Sequence, residues 1–429
     1  MRIVFVIGTS TGGVGTHVHA LARDLAAAGH EVGVIGPAAT DEHFGFSLLP
    51  RVRFGVLELG TGIGASDAAL IRRQRILLRS FAPDIVHAHG FRAGLITLLT
   101  LRTVRARPEF VLSLHNQASG QGLRGKVEAR VETMLARGAD LVLGASSDLV
   151  DRARELGAHD ARFLPAAAPH VEQIPAEAAA ATRAELAAEY GFDEGALIVL
   201  AVGRVAPQKN YPMLIRAIGR LGEERASPAS GRADEASHPA QVVVLIAGAA
   251  DESVLAQLQA QYESLRTQRG SDSAQRDSDG AQRDSGSAQR GSGSAQYAEA
   301  AAASAIPALH FLGPRDDIAE LAAAADIYAL TSVWEARALV LQEALISGRA
   351  IVATATGGTA ELVGDAGILI DHDDDAAFAA AVAELAVDPA RRAELGRRAA
   401  ARGAELPDEK EVAEELAGLY TELGSAQVG

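Results

Sequence analysis

The chain reads as an α/β protein built from two Rossmann-like, doubly wound domains, and three observations predict it. Short apolar runs alternate with amphipathic stretches, the alternation restarts after a proline-rich interruption, and glycine turns repeatedly follow the apolar runs. At 429 residues the chain exceeds the size at which one core usually stops growing, so two domains are expected. We delimit them as 1–168 and 176–407, with a final helix at about 408–424 returning to the first.

In the first half, Ile3 to Ile7, a glycine loop, a helix from about Thr16 to Ala28, and Glu31 to Ile35 make one βαβ unit. Further apolar runs at Ile85–His87, Phe110–Leu114 and Leu141–Leu143 are near-continuous rather than alternating, as expected of parallel strands covered on both faces. The second half repeats the scheme from Leu197–Val202 through Val242–Ala247, Leu309–Leu312 and Ile327–Leu330. A seven-residue repeat (Ala274-Gln275-Arg276-Asp277-Ser278 and its copies) has the coiled-coil period, but it offers only alanine as an apolar residue. With Gly, Ser and Asp throughout, it cannot bury enough surface to offset chain entropy, so 266–298 and the polar stretch 222–240 are expected as disordered insertions.

Composition removes several classes of function. There is no cysteine, hence no disulfide, thiol chemistry or cysteine-held metal, which suits a reducing cytoplasm. A net charge of −15 argues against a broad nucleic-acid-binding face. No apolar run approaches the roughly 18 to 20 residues of a membrane helix, and the opening run is too short for a signal peptide. We expect no transmembrane segment and a cytoplasmic location, with peripheral membrane contact compatible with both.

Candidate ligand groups sit where strands end. Glu335 and Glu343, eight positions apart, flank the junction between the Ile327 strand and a helix from Leu339 to Ser347 that Gly348 closes. Carboxylates at strand carboxyl ends can accept hydrogen bonds from a sugar or ribose, although solvated surface charge is the plainer reading. Gly12 and Gly13 lie between the first strand and helix, where backbone N–H groups can approach an anion; tight packing alone would also ask for glycine. The dinucleotide fingerprint is incomplete, because Val18 stands where the third glycine belongs, which counts against a nicotinamide-dependent oxidoreductase. Gly203-Arg204 through Lys209 places two cations in one strand-end loop, suited to a diphosphate. His87 and His89 share one side of their strand, and His89 is the better ligand candidate. His-x-His also invites a metal, but no third ligand stands nearby in sequence.

Taken in order, these motifs resemble the retaining glycosyltransferases of the GT-B fold, family-4 type. Met1 to Ala28, Gly203-Arg204 with Lys209, Phe311-Leu312-Gly313, Ala325-Asp326-Ile327-Tyr328, and Ser332, Glu335, Glu343, Gly348 and Gly357-Gly358 fall at family spacing. The resemblance implies two domains facing a deep interdomain cleft. It implies transfer of a sugar from a nucleoside diphosphate donor to an unidentified sugar, lipid or small-molecule acceptor, with no obligatory metal. Arg204 and Lys209 would hold the diphosphate beside Gly203 and Gly313, Glu343 would accept the ribose hydroxyls, and Glu335 and His89 would address the donor sugar. Gly12 and Gly13 would pass close to the phosphates or acceptor, and the departing phosphate would help deprotonate the acceptor. Ala336-Arg337-Ala338 replaces the family's usual Gly-Phe-Gly, leaving the N–H groups of Arg337, Ala338 and Leu339 to face the donor and adding a cation that could meet a phosphate or an acidic acceptor. The usual Asn-Gly-Val-Asp linker motif is replaced by Ala166-Ala167-Ala168-Pro169. A glycosyltransferase-like binding protein without catalysis is the alternative that these departures raise.

Overall fold

A computed structural model describes residues 1–10, 12–60, 64, 67–116, 122–167, 171, 173–226, 241–283 and 306–426. The chain packs as two compact units: Met1–His170 with Glu335–Leu339 and Leu406–Gly429, and Val171–Trp334 with Val340–Glu405.

Among the described residues the first unit holds strands β1 (Arg2–Ile7), β2 (Glu31–Gly36), β3 (Val52–Val56), β4 (Ile85–His89), β5 (Glu109–Leu114), β6 (Leu141–Gly144) and β7 (Ala161–Phe163). They form one all-parallel sheet in the order β3-β2-β1-β4-β5-β6-β7. The helices are α1 (Gly13–Ala27), α2 (Ala38–Phe44), α3 (Asp67–Phe81), α4 (Phe91–Leu101), α5 (Gly122–Gly138) and α6 (Ser147–Glu155). Register sets Ile7 beside His89 and His89 beside Ser113, so the carboxyl ends of β1, β4 and β5 lie level. Ile3, Phe5, Ile7, Val18, Leu21 and Leu25 make the centre of the core, and the terminal helix adds Val412, Leu416 and Tyr420.

The second unit holds β8 (Leu197–Val202), β9 (Val242–Ala247), β10 (Ala308–Gly313), β11 (Ile327–Leu330), β12 (Ala350–Thr354) and β13 (Gly367–Ile370), parallel in the order β10-β9-β8-β11-β12-β13. Its helices are α7 (Ala176–Tyr190), α8 (Tyr211–Ala226), α9 (Glu252–Arg283), α10 (Ile318–Ala324), α11 (Leu339–Ile346), α12 (Thr359–Val363), α13 (Asp375–Val387) and α14 (Pro389–Ala404). Local chemistry sets the ends of several. Asp374 and Asp388 cap α13 and α14, each accepting from a backbone N–H at 2.8 Å, with Pro389 opening α14, and Gly191 closes α7 in the left-handed region at φ 72°. The last helix, α15 (Glu409–Ala426), packs on α1 of the first unit.

The structure corrects several sequence expectations. Helix α1 begins at Gly13 rather than about Thr16, with Gly12 extended ahead of it. Strands β3, β7 and β13 escape a reading by apolar runs because they are sheet-edge segments, short or interrupted by charged residues. The insertion expected at 266–298 is helical as far as Arg283, as the end of α9. Leu258, Tyr262 and Leu265 anchor the start of α9 on the core, and a helix once begun propagates cheaply through Ala, Gln and Arg. Likewise 222–226 finish α8, whereas 227–240 and 284–298 lie outside the described residues, as do Thr11, Ala168 and Pro169.

Candidate functional site

In the second unit three neighbouring strands end in glycines of positive φ: Gly203 at 154°, Gly248 at 152° and Gly313 at 71°. Backbone hydrogen bonds tie these ends together, Gly203 N–H to the Ala247 carbonyl at 2.9 Å and Gly248 N–H to the Gly313 carbonyl at 2.8 Å. A Cβ at Gly248 would lie 2.2 Å from the Gly203 carbonyl oxygen, and one at Gly203 would lie 2.7 Å from Lys209 Cε. The lysine stem therefore crosses the face of Gly203, and the φ of 154° there favours glycine. Sequence reasoning missed Gly248; the signal was present, since it directly follows an apolar strand.

The Arg204–Lys209 loop is strapped down. Val205 N–H reaches the Ala249 carbonyl at 2.8 Å, Tyr211 Oη the Gly203 carbonyl at 3.0 Å, and Thr331 Oγ1 the Lys209 carbonyl at 2.8 Å. Val333 N–H donates to the Gln208 carbonyl at 2.8 Å, and Gln208 Nε2 to the Trp334 carbonyl at 3.0 Å. Arg204 is exposed and Lys209 half-buried. Beyond β11, the carbonyl of buried Ser332 accepts from Thr354 Oγ1 at 2.7 Å and Thr356 Oγ1 at 3.2 Å.

Glu343 lies in α11, where burial raises its carboxyl to about 7. Its charge acts on Tyr328 of β11, a fully buried phenol whose hydroxyl has no hydrogen-bond partner among the described residues. Glu335 and Arg337 are half-buried, and Ala336 and Ala338 are buried. The segment Glu335–Leu339 belongs to the first unit, where the Arg337 guanidinium lies 5.9 Å from the Phe163 ring centre.

In the first unit the Gly12 carbonyl accepts from Gly15 N–H at 2.9 Å and Thr16 N–H at 3.3 Å, and Ser10 Oγ accepts from Gly15 N–H at 3.1 Å. A Cβ at Gly15 would strike the Phe44 ring at 2.1 Å, whereas one at Gly12 meets nothing. Packing thus explains Gly15 and leaves Gly12 unexplained by it. Gly13 opens α1.

Four histidines assemble from two elements and one loop: His17 on α1, His87 and His89 on β4, and His115 just past β5. The His87 and His89 rings stack at 4.2 Å and those of His89 and His115 at 5.3 Å, while His17 lies edge-on at 6.0 and 5.9 Å. His87 is fully engaged, Nδ1 with Tyr420 Oη at 2.6 Å and Nε2 with Ser113 Oγ at 2.7 Å. His89 shares a hydrogen bond of 3.0 Å with His115 Nε2, and its own Nε2 is buried with no partner among the described residues. Burial lowers all four, His17 to about 3, His115 to about 4, and the other two well below the usual range, so the cluster is neutral at pH 7. Sequence reasoning missed His17 and His115. The rule that found His89, a polar residue at a strand's carboxyl end, also selects His115; nothing local marks His17. Among the described residues no cluster of three or more His, Asp or Glu is arranged to hold a metal.

Residues 11–165 match the family model for Glycosyltransferase Family 4, and residues 287–388 match the model for Glycosyl transferases group 1. With two Rossmann-like units of parallel sheet, these matches place the chain among glycosyltransferases of the GT-B fold. It is 27% identical over 356 residues to a D-inositol 3-phosphate glycosyltransferase of Streptomyces avermitilis, spanning 79% of this chain and 65%, just under two thirds, of that protein. A protein of the same name from Corynebacterium kroppenstedtii is 25% identical, spanning 90% of this chain and 80% of its own length. Among solved structures, Anabaena Alr3699/HepE in complex with UDP and glucose superposes with a TM-score of 0.73 at 18% identity, covering 98% of this chain and 100% of that one. Among the described residues no helix is long and apolar enough to cross a membrane.

Proposed function

We propose that this protein transfers a sugar from a nucleoside diphosphate donor to a hydroxylated acceptor, with retention at the anomeric carbon, and that the second unit holds the donor. The observation that carries this reading is Lys209 laid across Gly203, at the tip of three glycine-ended strands. Backbone N–H groups and a held ammonium are what a departing diphosphate needs, since charge builds on its bridging oxygen as the glycosidic bond breaks. Arg204 supplies the second cation. Glu343 would take the ribose hydroxyls, which as donors favour its ionised form. Glu335 would address the sugar. His89 would offer a neutral imidazole whose buried Nε2 has no partner among the described residues, donor or acceptor according to tautomer. The HepE complex with UDP and glucose supports the donor class. The two relatives named for inositol phosphate favour a small, phosphorylated polyol as acceptor, and Arg337 is the cation we assign to its phosphate.

The test is calorimetry with UDP, GDP, ADP and their sugars, followed by NMR assignment of the product anomer. Lys209→Ala is expected to weaken nucleoside diphosphate binding by about ten- to a hundredfold, the range for one charge-assisted hydrogen bond. Binding unchanged by Lys209→Ala would overturn the donor site. An inverted product would overturn retention alone.

A further inference from the structure

Tyr328 stands in the middle of the second sheet. Its strand, β11, lies between β8 and β12, and register sets Tyr328 beside Leu200 and Ile351. Ile327 and Ala329 line the core under α8 and α13, so alternation turns Tyr328 to the other face. There it is fully buried, and its hydroxyl has no hydrogen-bond partner among the described residues. An unpaired buried hydroxyl is costly, and phenylalanine would fill nearly the same space without one. The hydroxyl therefore asks for a partner that is engaged only when a ligand binds.

The surroundings of the phenol say which partner. Burial raises its ionisation well above the usual tyrosine range, and the Glu343 charge and then Tyr211 push it the same way. It thus keeps its proton and can donate. Glu343, on the helix that follows β11, is half-buried, and burial alone accounts for its raised carboxyl. The Tyr211 hydroxyl already donates to the Gly203 carbonyl at 3.0 Å, so of the two neighbours the carboxyl is the stronger acceptor once it ionises.

We infer that Tyr328 is a positioning residue for the nucleotide: its hydroxyl donates to the Glu343 carboxylate when that carboxylate takes the ribose diol. This rests on the reading that the second unit holds a nucleoside diphosphate with its ribose on Glu343. A carboxylate has about four lone-pair sites, so the phenol and two ribose hydroxyls do not compete for them. A neutral carboxyl is the weaker acceptor, and the bond tightens as the charge forms. The free protein bears the unpaired hydroxyl, and the complex satisfies it.

The experiment is calorimetry of the full chain with UDP, GDP and ADP, each beside its 2′,3′-dideoxy analogue, for the wild type and Tyr328→Phe. The wild type is expected to prefer the ribonucleotide. Tyr328→Phe should lose about tenfold of that preference while binding the dideoxy analogue as the wild type does, whereas a merely structural role would weaken both ligands alike. In a Glu343→Gln background the same change should add nothing further, because the carboxylate to be oriented is gone. Without nucleotide, the urea midpoint of Tyr328→Phe should be no lower than that of the wild type, since no contact is removed. The inference alone is overturned if the preference survives in Tyr328→Phe, if both ligands weaken alike, or if the loss is as large in the Glu343→Gln background. It is equally overturned if Tyr328→Phe is destabilised or fails to fold, which would give the hydroxyl a structural partner. A wild type that binds none of the three nucleotides, or that binds ribose and dideoxy forms equally, overturns the donor reading and the inference with it.

Discussion

The two units treat charge in opposite ways at their strand ends. The first gathers four titratable rings and strips them of charge by burial, and the second keeps two cations at its glycine tips with one carboxyl half-hidden nearby. A neutral imidazole cluster can orient hydroxyls and pass a proton without attracting anions. A lysine held over backbone N–H groups does the reverse, attracting phosphate without offering a base. The division of labour that we propose, donor anion on the second unit and hydroxyl chemistry on the first, follows from this contrast.

The comparison breaks most sharply at Gly248. Gly248→Ala drives a methyl into the Gly203 carbonyl and imposes a φ that side chains avoid, so we expect a loss of at least about 3 kcal/mol in urea unfolding, with donor binding abolished. An unaltered midpoint would mean that the strand tips are not packed as described. Next comes pH, where the units should respond with opposite sign. The Glu343 carboxyl stands at about 7 folded against 4.5 unfolded, so its contribution to stability falls as pH rises from 4.5 through 7, by up to about 3 kcal/mol. Glu343→Gln should flatten that slope. The histidines have the reverse sign: their folded values lie below the unfolded 6.5, so stability is full above 6.5 and falls with pH towards about 4 for His115 and 3 for His17. Hydrogen exchange resolved by unit would separate the two, and a common slope in both would contradict the contrast. The smallest expected effect is Tyr420→Phe, which leaves His87 Nδ1 buried without its partner at a cost of about 1 to 2 kcal/mol. Because Tyr420 lies on α15, the variant should also loosen exchange protection in that helix.

Much of the architecture is legible in the sequence. Most central strands are continuous apolar runs because they are buried on both faces, with His87 and His89 of β4 the exceptions; the edge strands β3 and β7 are hidden by charged residues and β13 by its shortness. Arg204, Lys209 and Glu343 are legible because each stands at a fixed offset from such a run. The helical end of α9 is not, since a repeat of polar residues and alanine says nothing of what precedes it, and there the preceding turns are anchored on the core.

The sequence by itself determined the two α/β units, the Gly203 and Gly313 tips and the identity of the charged groups beside them, because periodicity and the steric needs of turns act over a few residues. Only the tertiary structure decided that His17, His89 and His115 meet, that Tyr420 occupies His87, that Gly15 makes room for Phe44, and that the Glu343 carboxyl titrates near neutrality. These depend on neighbours distant along the chain and on how much water a group has lost, and neither quantity is written in local pattern.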